Sequence, residues 1–238
     1  MNKTTPPAQD PSDRYTDGAY LADNPTWGVE DSAWKAKKIH ALLEKNGLIP
    51  SSICEVGCGA GEILSQLSLK LPQTMCAGYE VSPQAFELSQ TRRSEKLEFH
   101  LADLTTESVH FDLLLCIDVF EHVEDYIGFI KNIKDKATFK LFHIPLDMSV
   151  LAILSGSMLK AREQLGHLHY YSKDTALATL TDAGYEIVDW QYATAFSDIP
   201  AKSVRAGIAK WPRKLLDAVS PGLNAKLLGG SSLLVLAQ

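Results

Sequence analysis

Residues 51–70 read SSICEVGCGAGEILSQLSLK. SSICEVGC is a short apolar run with the character of a buried strand, and residues 62–70 read as a helix. Between them lies Glu55-Val-Gly57-Cys-Gly59-Ala-Gly61. Three glycines at alternate positions let the backbone turn sharply and let a ligand approach within contact distance. A dinucleotide fingerprint needs G-x-G-x-x-G, whose third glycine allows close helix–strand packing. Counted from Gly57 that third position is Glu62, and counted from Gly59 it is Leu64. An acid in the first helical turn also repels a pyrophosphate. The loop therefore suits a ligand that carries no phosphate and has a positive centre.

Outward from this loop, short apolar runs alternate with helical stretches. TMCAGYEV, LEFHLAD, FDLLLCID and TFKLFHIP read as the next four strands. Ser82-Pro83 opens a helix running to about Lys96, and residues 124–135 form another. This alternation means βαβ units and a parallel sheet with right-handed crossovers. Upstream, Asp31 or Ser32 caps a helix that Gly47 ends. Downstream, residues 147–165 look helical, Lys173 to Ala183 is amphipathic, and YEIVDWQY and SSLLVLAQ are the last strands. Residues 1–14 have the composition of a disordered tail. Tyr15, Tyr20 and Trp27 are too many aromatics for such a tail. Residues 1–30 are accordingly expected to be a tail plus a lid, and 31–238 the main domain. Residues 198–228 are an insertion, with Pro212 expected to start its second helix.

The 238 residues carry a net charge of −6, which disfavours a polyphosphate partner such as nucleic acid. Cys54, Cys58, Cys76 and Cys116 form no C-x-x-C pair and no Cys/His cluster with zinc spacing, so they read as buried reduced thiols. The N-terminus has no apolar core of a secretory signal, and no apolar run approaches the ~20 residues of a membrane span. The expected location is cytoplasmic.

The ordered motifs resemble those of the class I S-adenosylmethionine (SAM)-dependent methyltransferases, small-molecule type, over roughly Trp34 to Gln238. Gly57, Gly59 and Gly61 match the family's first motif, with Glu55 as its leading acid. Glu80, at the end of the second strand, matches the acid that binds both ribose hydroxyls. Asp103 matches the residue that bonds the adenine amino group, with Leu104 as its apolar neighbour. Asp118-Val-Phe-Glu121-His122-Val matches the fourth-strand motif, which faces the methionine part of SAM. Asp182 to Val188 and Gly229 to Ala237 resemble the closing antiparallel hairpin. The resemblance implies a Rossmann-like, doubly wound, mostly parallel seven-stranded sheet with an antiparallel last strand, SAM as cofactor, and methyl transfer to a small-molecule acceptor. Nucleic-acid amino-methylating relatives carry [DNS]-P-P-[YFW] after the fourth strand. The equivalent here is Asp118 to Glu121, which argues against DNA adenine methylation.

Transfer from a sulfonium is a direct displacement, so the protein mainly aligns the nucleophile with the methyl carbon. A hydroxyl acceptor also needs a base, and His fits neutral pH. His122, His143 and His167 are the candidates. His167 lies in Gly166-His-Leu-His-Tyr-Tyr-Ser, which resembles a family segment bordering the acceptor pocket. Glu121, His122 and Asp147 make a conceivable ligand set, but no metal is assigned. The insertion, with Lys202, Arg205, Lys210, Arg213, Lys214 and Lys226 around an apolar stripe, is expected to be a cap for an acceptor with an apolar body and an anionic group. A membrane-surface role is the smaller alternative. A SAM-binding partner subunit without turnover and an NAD-dependent oxidoreductase are the competing functions. The oligomeric state is not indicated by the sequence.

Overall fold

The computed structural model describes Tyr15, residues 17–195 and residues 204–238, with backbone alone at Ala19, Asp23 and 204–210. The expected tail, residues 1–14, and the insertion's Lys202 lie outside the described residues. The side chains of Arg205 and Lys210 also lie outside them.

Seven strands form one sheet in the order β3-β2-β1-β4-β5-β7-β6. They are β1 (Ser52–Val56), β2 (Met75–Glu80), β3 (Leu97–Leu101), β4 (Phe111–Ile117), β5 (Ala137–Pro145), β6 (Ile187–Ala193) and β7 (Ser232–Ala237). The first five pair in parallel, and β7 is antiparallel to both β5 and β6. This is the doubly wound sheet expected from the sequence. Its strand order reverses between β1 and β4, where open sheets leave a crevice at their carboxyl ends.

Alternate residues of a strand point to opposite faces, and both faces here are covered. On one, Ile53 of β1, Leu113 and Leu115 of β4 and Leu141 of β5 meet Ile39, Leu42 and Leu43 of α2 (Ser32–Lys45) and Leu64 and Leu67 of α3 (Glu62–Lys70). On the other, Cys54, Leu114, Cys116, Phe142 and Val235 meet Ile130, Leu180 and Tyr185. These last come from α5 (Tyr126–Asn132), α8 (Lys173–Asp182) and the start of the closing hairpin. Apolar runs without alternation are what a sheet buried on both faces requires. All four cysteines are free and buried. Burial pushes their thiols up, Cys76 to about 11 with a further push from Glu55, which leaves them poor nucleophiles.

Several boundaries differ from expectation. The helix opened by Ser82 is short: α4 (Pro83–Ser89) passes into a 3-10 turn, Gln90–Arg92, because Ser94 bridges back to Leu97. Residues 147–165 hold two helices, α6 (Val150–Ser155) and α7 (Ser157–Gln164), separated at Gly156 with φ +67°. Pro212 does not begin a helix. It lies inside α9 (Val204–Val219), and the next helix, α10 (Pro221–Leu227), starts behind Ser220, whose hydroxyl accepts from Leu223 N. The expected apolar inner face of this cap is also reversed over its described half. Trp211, Leu215 and Val219 are 70%, 68% and 77% exposed, while Arg213 turns inward to donate to Leu228 O and Asp217 accepts from Thr194. Polar anchors hold that face down, so the apolar stripe faces away. Among the described residues no helix is long and apolar enough to cross a membrane.

Gly61 caps α3 at φ +76°, and a Cβ there would stand 2.4 Å from Phe99 Cε1. Strain at positive φ and overpacking add. Gly61→Ala is expected to cost about 2–4 kcal/mol in urea denaturation; an unchanged midpoint would contradict this packing role.

Candidate active site

The glycine loop leaves β1 with φ +63° at Gly57 and +55° at Gly59, a region that favours residues without a Cβ. Glu80, at the carboxyl end of β2, pins it. Glu80 Oε2 accepts from Gly59 N at 2.8 Å, and Oε1 accepts from Val81 N and Ser82 N at 2.9 and 2.8 Å. Burial raises the Glu80 carboxyl above its ordinary range, and these three donors only partly oppose it. Glu55, at the end of β1, is more extreme. It is buried, and its Oε2 has no hydrogen-bond partner among the described residues. Burial pushes it well above the usual carboxylate range; Lys35 pulls it down, while Glu80 and Asp118 push it further up. A desolvated carboxylate oxygen without a donor is costly until a cation meets it.

Asp118 follows β4 and adopts φ +53°, rare for a residue with a side chain. Its N–H donates to His143 O at 3.1 Å, so the turn is locked to β5. Its Oδ1 lies 2.5 Å from His143 Nδ1 and its Oδ2 2.7 Å from Lys35 Nζ. Lys35, on α2, also reaches Asp31 at 3.0 Å. Burial opposes ionisation of both partners. Even so, His143 and Lys35 hold the Asp118 carboxyl far below its ordinary range, and Asp118 and Asp31 hold the Lys35 ammonium above its own. A carboxylate only accepts, so His143 carries a hydrogen on Nδ1, and in the neutral ring the lone pair is on Nε2. That Nε2 is buried without a partner among the described residues.

The fourth-strand motif and the Gly166–Ser172 segment run side by side. Leu168 N and His169 N both donate to Glu121 O, at 2.8 and 3.1 Å, and His169 Nε2 lies 2.9 Å from Val123 O. This brings His122 and His167 to a ring separation of 4.9 Å. His167 Nδ1 lies 2.5 Å from Asp147 Oδ2.

Two adjoining chambers open at this end of the sheet, of about 400 and 580 Å³. They share Tyr20, Trp27, Gly57, Asp118 and His122. Tyr15 OH lies 2.9 Å from His122 Nδ1, and the Tyr20 and Trp27 rings stand 4.8 Å apart. Trp27 rests on the loop itself, since a Cβ on Gly59 would meet Trp27 Cδ1 at 2.6 Å.

The structure thus gathers Glu55, Gly57, Gly59, Glu80, Asp118, His122, His143 and His167 around one cleft. Gly61 instead faces Phe99. Asp103 Oδ1 accepts from Thr105 N and Thr105 Oγ1, and Leu104 is fully buried in the core; neither lines the cleft. Lys35 was not singled out by sequence reasoning. The signal for it was its i,i+4 spacing from Asp31 at the start of α2.

The family described as a methyltransferase domain matches residues 30–189, more than half of the chain. No curated protein matches. Among solved structures, the magnesium protoporphyrin IX methyltransferase of Synechocystis PCC 6803 with bound SAH is similar at 16% identity and a TM-score of 0.64, over 96% of this chain and 99% of that one. The plantazolicin methyltransferase BpumL, in complex with a monoazolic desmethyl analogue and SAH, is similar at 16% identity and a TM-score of 0.55, over 96% and 90%. The mycolic acid cyclopropane synthase CmaA1, complexed with SAH and CTAB, is similar at 16% identity and a TM-score of 0.59, over 84% and 82%. The chain belongs to the methyltransferase-domain family and has the class I fold of the SAM-dependent methyltransferases.

Proposed function

We propose that this methyltransferase moves the methyl group of SAM to an oxygen of a small-molecule acceptor in the cleft above β1, β2 and β4. The observation that carries this reading is the pairing of the positive-φ glycine loop, Gly57 and Gly59, with the buried carboxylates Glu55 and Glu80 in the lining of the same cleft. Such a lining favours a ligand of positive charge and disfavours a pyrophosphate, which weighs against the oxidoreductase alternative. SAM fits that demand: when bound, it supplies an electrophilic methyl on a cationic sulfur. Glu80 is suited to accept two ribose hydroxyl hydrogens while holding Gly59. Tyr15, Tyr20 and Trp27 form a lid that excludes water.

His143 is the base this geometry supports best. Asp118 orients its ring and fixes its tautomer, so Nε2 can take the acceptor's proton. A small-molecule acceptor is supported by the similar structures, which are a magnesium protoporphyrin IX methyltransferase, a plantazolicin methyltransferase and a mycolic acid cyclopropane synthase. The reading of an anionic group in the acceptor rests on Lys202, Arg205, Lys210, Arg213, Lys214 and Lys226; the side chains of the first three lie outside the described residues, Arg213 donates to Leu228 O, and Lys226 pairs with Asp174.

Radiolabelled SAM is expected to bind the wild type, and Glu80→Gln is expected to weaken it by about 1–3 kcal/mol, the cost of losing charge-assisted hydrogen bonds. An unchanged dissociation constant would contradict the placement of the ribose. His143→Ala is expected to lower kcat by roughly 10²–10⁴-fold while leaving SAM binding intact, measured on an acceptor found by screening alcohols and phenols. Full activity in that variant would remove His143 as the base, and turnover on any acceptor excludes a purely regulatory subunit.

A further inference from the structure

Beside the methyl-transfer cleft stands a group of side chains that the transfer itself does not use. Glu121 is fully buried, and neither carboxylate oxygen has a hydrogen-bond partner among the described residues. An isolated carboxylate in such a place costs several kcal/mol unless something positive meets it. Lys35, the buried cation of this cleft, is already engaged by Asp118 and Asp31.

Two imidazoles face Glu121. His122 Nε2 lies 3.9 Å from Glu121 Oε1. The Nδ1 of His122 lies 3.2 Å from Gly166 O. A carbonyl only accepts, so Nδ1 carries a hydrogen, and in the neutral ring Nε2 holds the lone pair. His167 repeats the pattern with a stronger orienter, because its Nδ1 donates to Asp147 Oδ2 at 2.5 Å. One ring nitrogen of each histidine and one Glu121 oxygen all lie within 4.8 Å of one another. A carboxylate gripping the far nitrogen of a ligating imidazole is the usual outer partner of a protein-bound metal.

We propose that Glu121, His122 and His167 bind one divalent transition-metal ion of the zinc type, with Asp147 as the positioning residue for His167. Two imidazoles and one carboxylate match a three-ligand site with a position left open, and imidazole ligation selects against magnesium and calcium. Bonds of about 2.0–2.2 Å put tetrahedral ligand atoms about 3.4 Å apart. The three groups therefore close by about an ångström, within the reach of side-chain rotation. The ion satisfies the buried carboxylate. Because His122 and His167 line the larger chamber, the open position faces the cleft, where it takes an oxygen ligand. That role toward an acceptor rests on the oxygen-methylation reading; the binding of the ion does not.

The test uses the full chain, stripped with EDTA and titrated with Co²⁺ under visible absorption. One equivalent is expected, with d–d bands, no thiolate charge-transfer band, and displacement by Zn²⁺. Glu121→Gln and His167→Ala are expected to weaken Co²⁺ by more than about tenfold, and Asp147→Asn by about 10–100-fold. His100→Ala, on β3, is expected to bind as the wild type does. No cobalt spectrum in the wild type, a thiolate band from the cysteines, or folded Glu121 and His167 variants with undiminished affinity would each overturn the site. The wild-type spectrum decides even if a variant fails to fold. Radiolabelled SAM binding measured in EDTA tests the cofactor reading separately, so failure of one is not mistaken for failure of the other.

Discussion

Asp118 is the residue through which the cleft is assembled. It ends the central strand β4 in a left-handed turn, and its two carboxylate oxygens tie α2 to β5 through Lys35 and His143. Without that carboxylate, Lys35 would be a buried ammonium left with Asp31, and His143 would lose the acceptor that fixes its tautomer. Removing one partner of a buried pair costs more than the pair contributes, because the other charge stays behind. The ion pairs also fix α2 relative to the strand ends, and α2 follows directly on the segment that brings Trp27 over the glycine loop. Geometry at the loop, at His143 and at the N-terminal aromatics therefore shares one electrostatic anchor.

Around that anchor the protein concentrates acids where water is scarce. Glu55, Glu80 and Glu121 are all buried near the carboxyl ends of the strands, and burial raises each above its ordinary range. The sign matters for stability. A carboxyl whose folded pKa is raised stabilises the protein below its unfolded value and loses that contribution as pH rises through the folded one; Asp118, held low, does the opposite. The sheet and its two apolar layers bear this local cost. A site that is strained electrostatically when empty is one that gains when a cation arrives.

Much of this was legible in the sequence because it is local. The glycine loop, Glu80 and the Asp118–His122 motif each lie within a few residues of a strand end. In a parallel sheet all such ends share one edge, so their order along the chain nearly dictates their gathering. What was not legible depends on distance or on packing. Lys35 joins Asp118 across 83 positions, and its local i,i+4 spacing from Asp31 says nothing of that distant partner. Gly61 looked like its sister glycines, yet its missing Cβ makes room for Phe99. Pro212 is a helix-starting signal by propensity, but α9 runs through it. The reversed face of that helix follows from Arg213 and Asp217 finding partners on the body of the domain, which periodicity cannot show.

The central claim is that the cleft reads positive charge through Glu55 and Glu80, whose carboxyls burial raises above their ordinary range. Calorimetric titration of SAM into the protein, in buffers of different ionisation enthalpy, tests it most directly. Glu55 and Glu80 hold protons in the free protein over a range where ordinary carboxylates do not, and a bound cation favours their charged forms. Binding is therefore predicted to release protons and to tighten as pH rises through the raised carboxyl range. Binding with no net proton exchange and no dependence on pH would contradict the account.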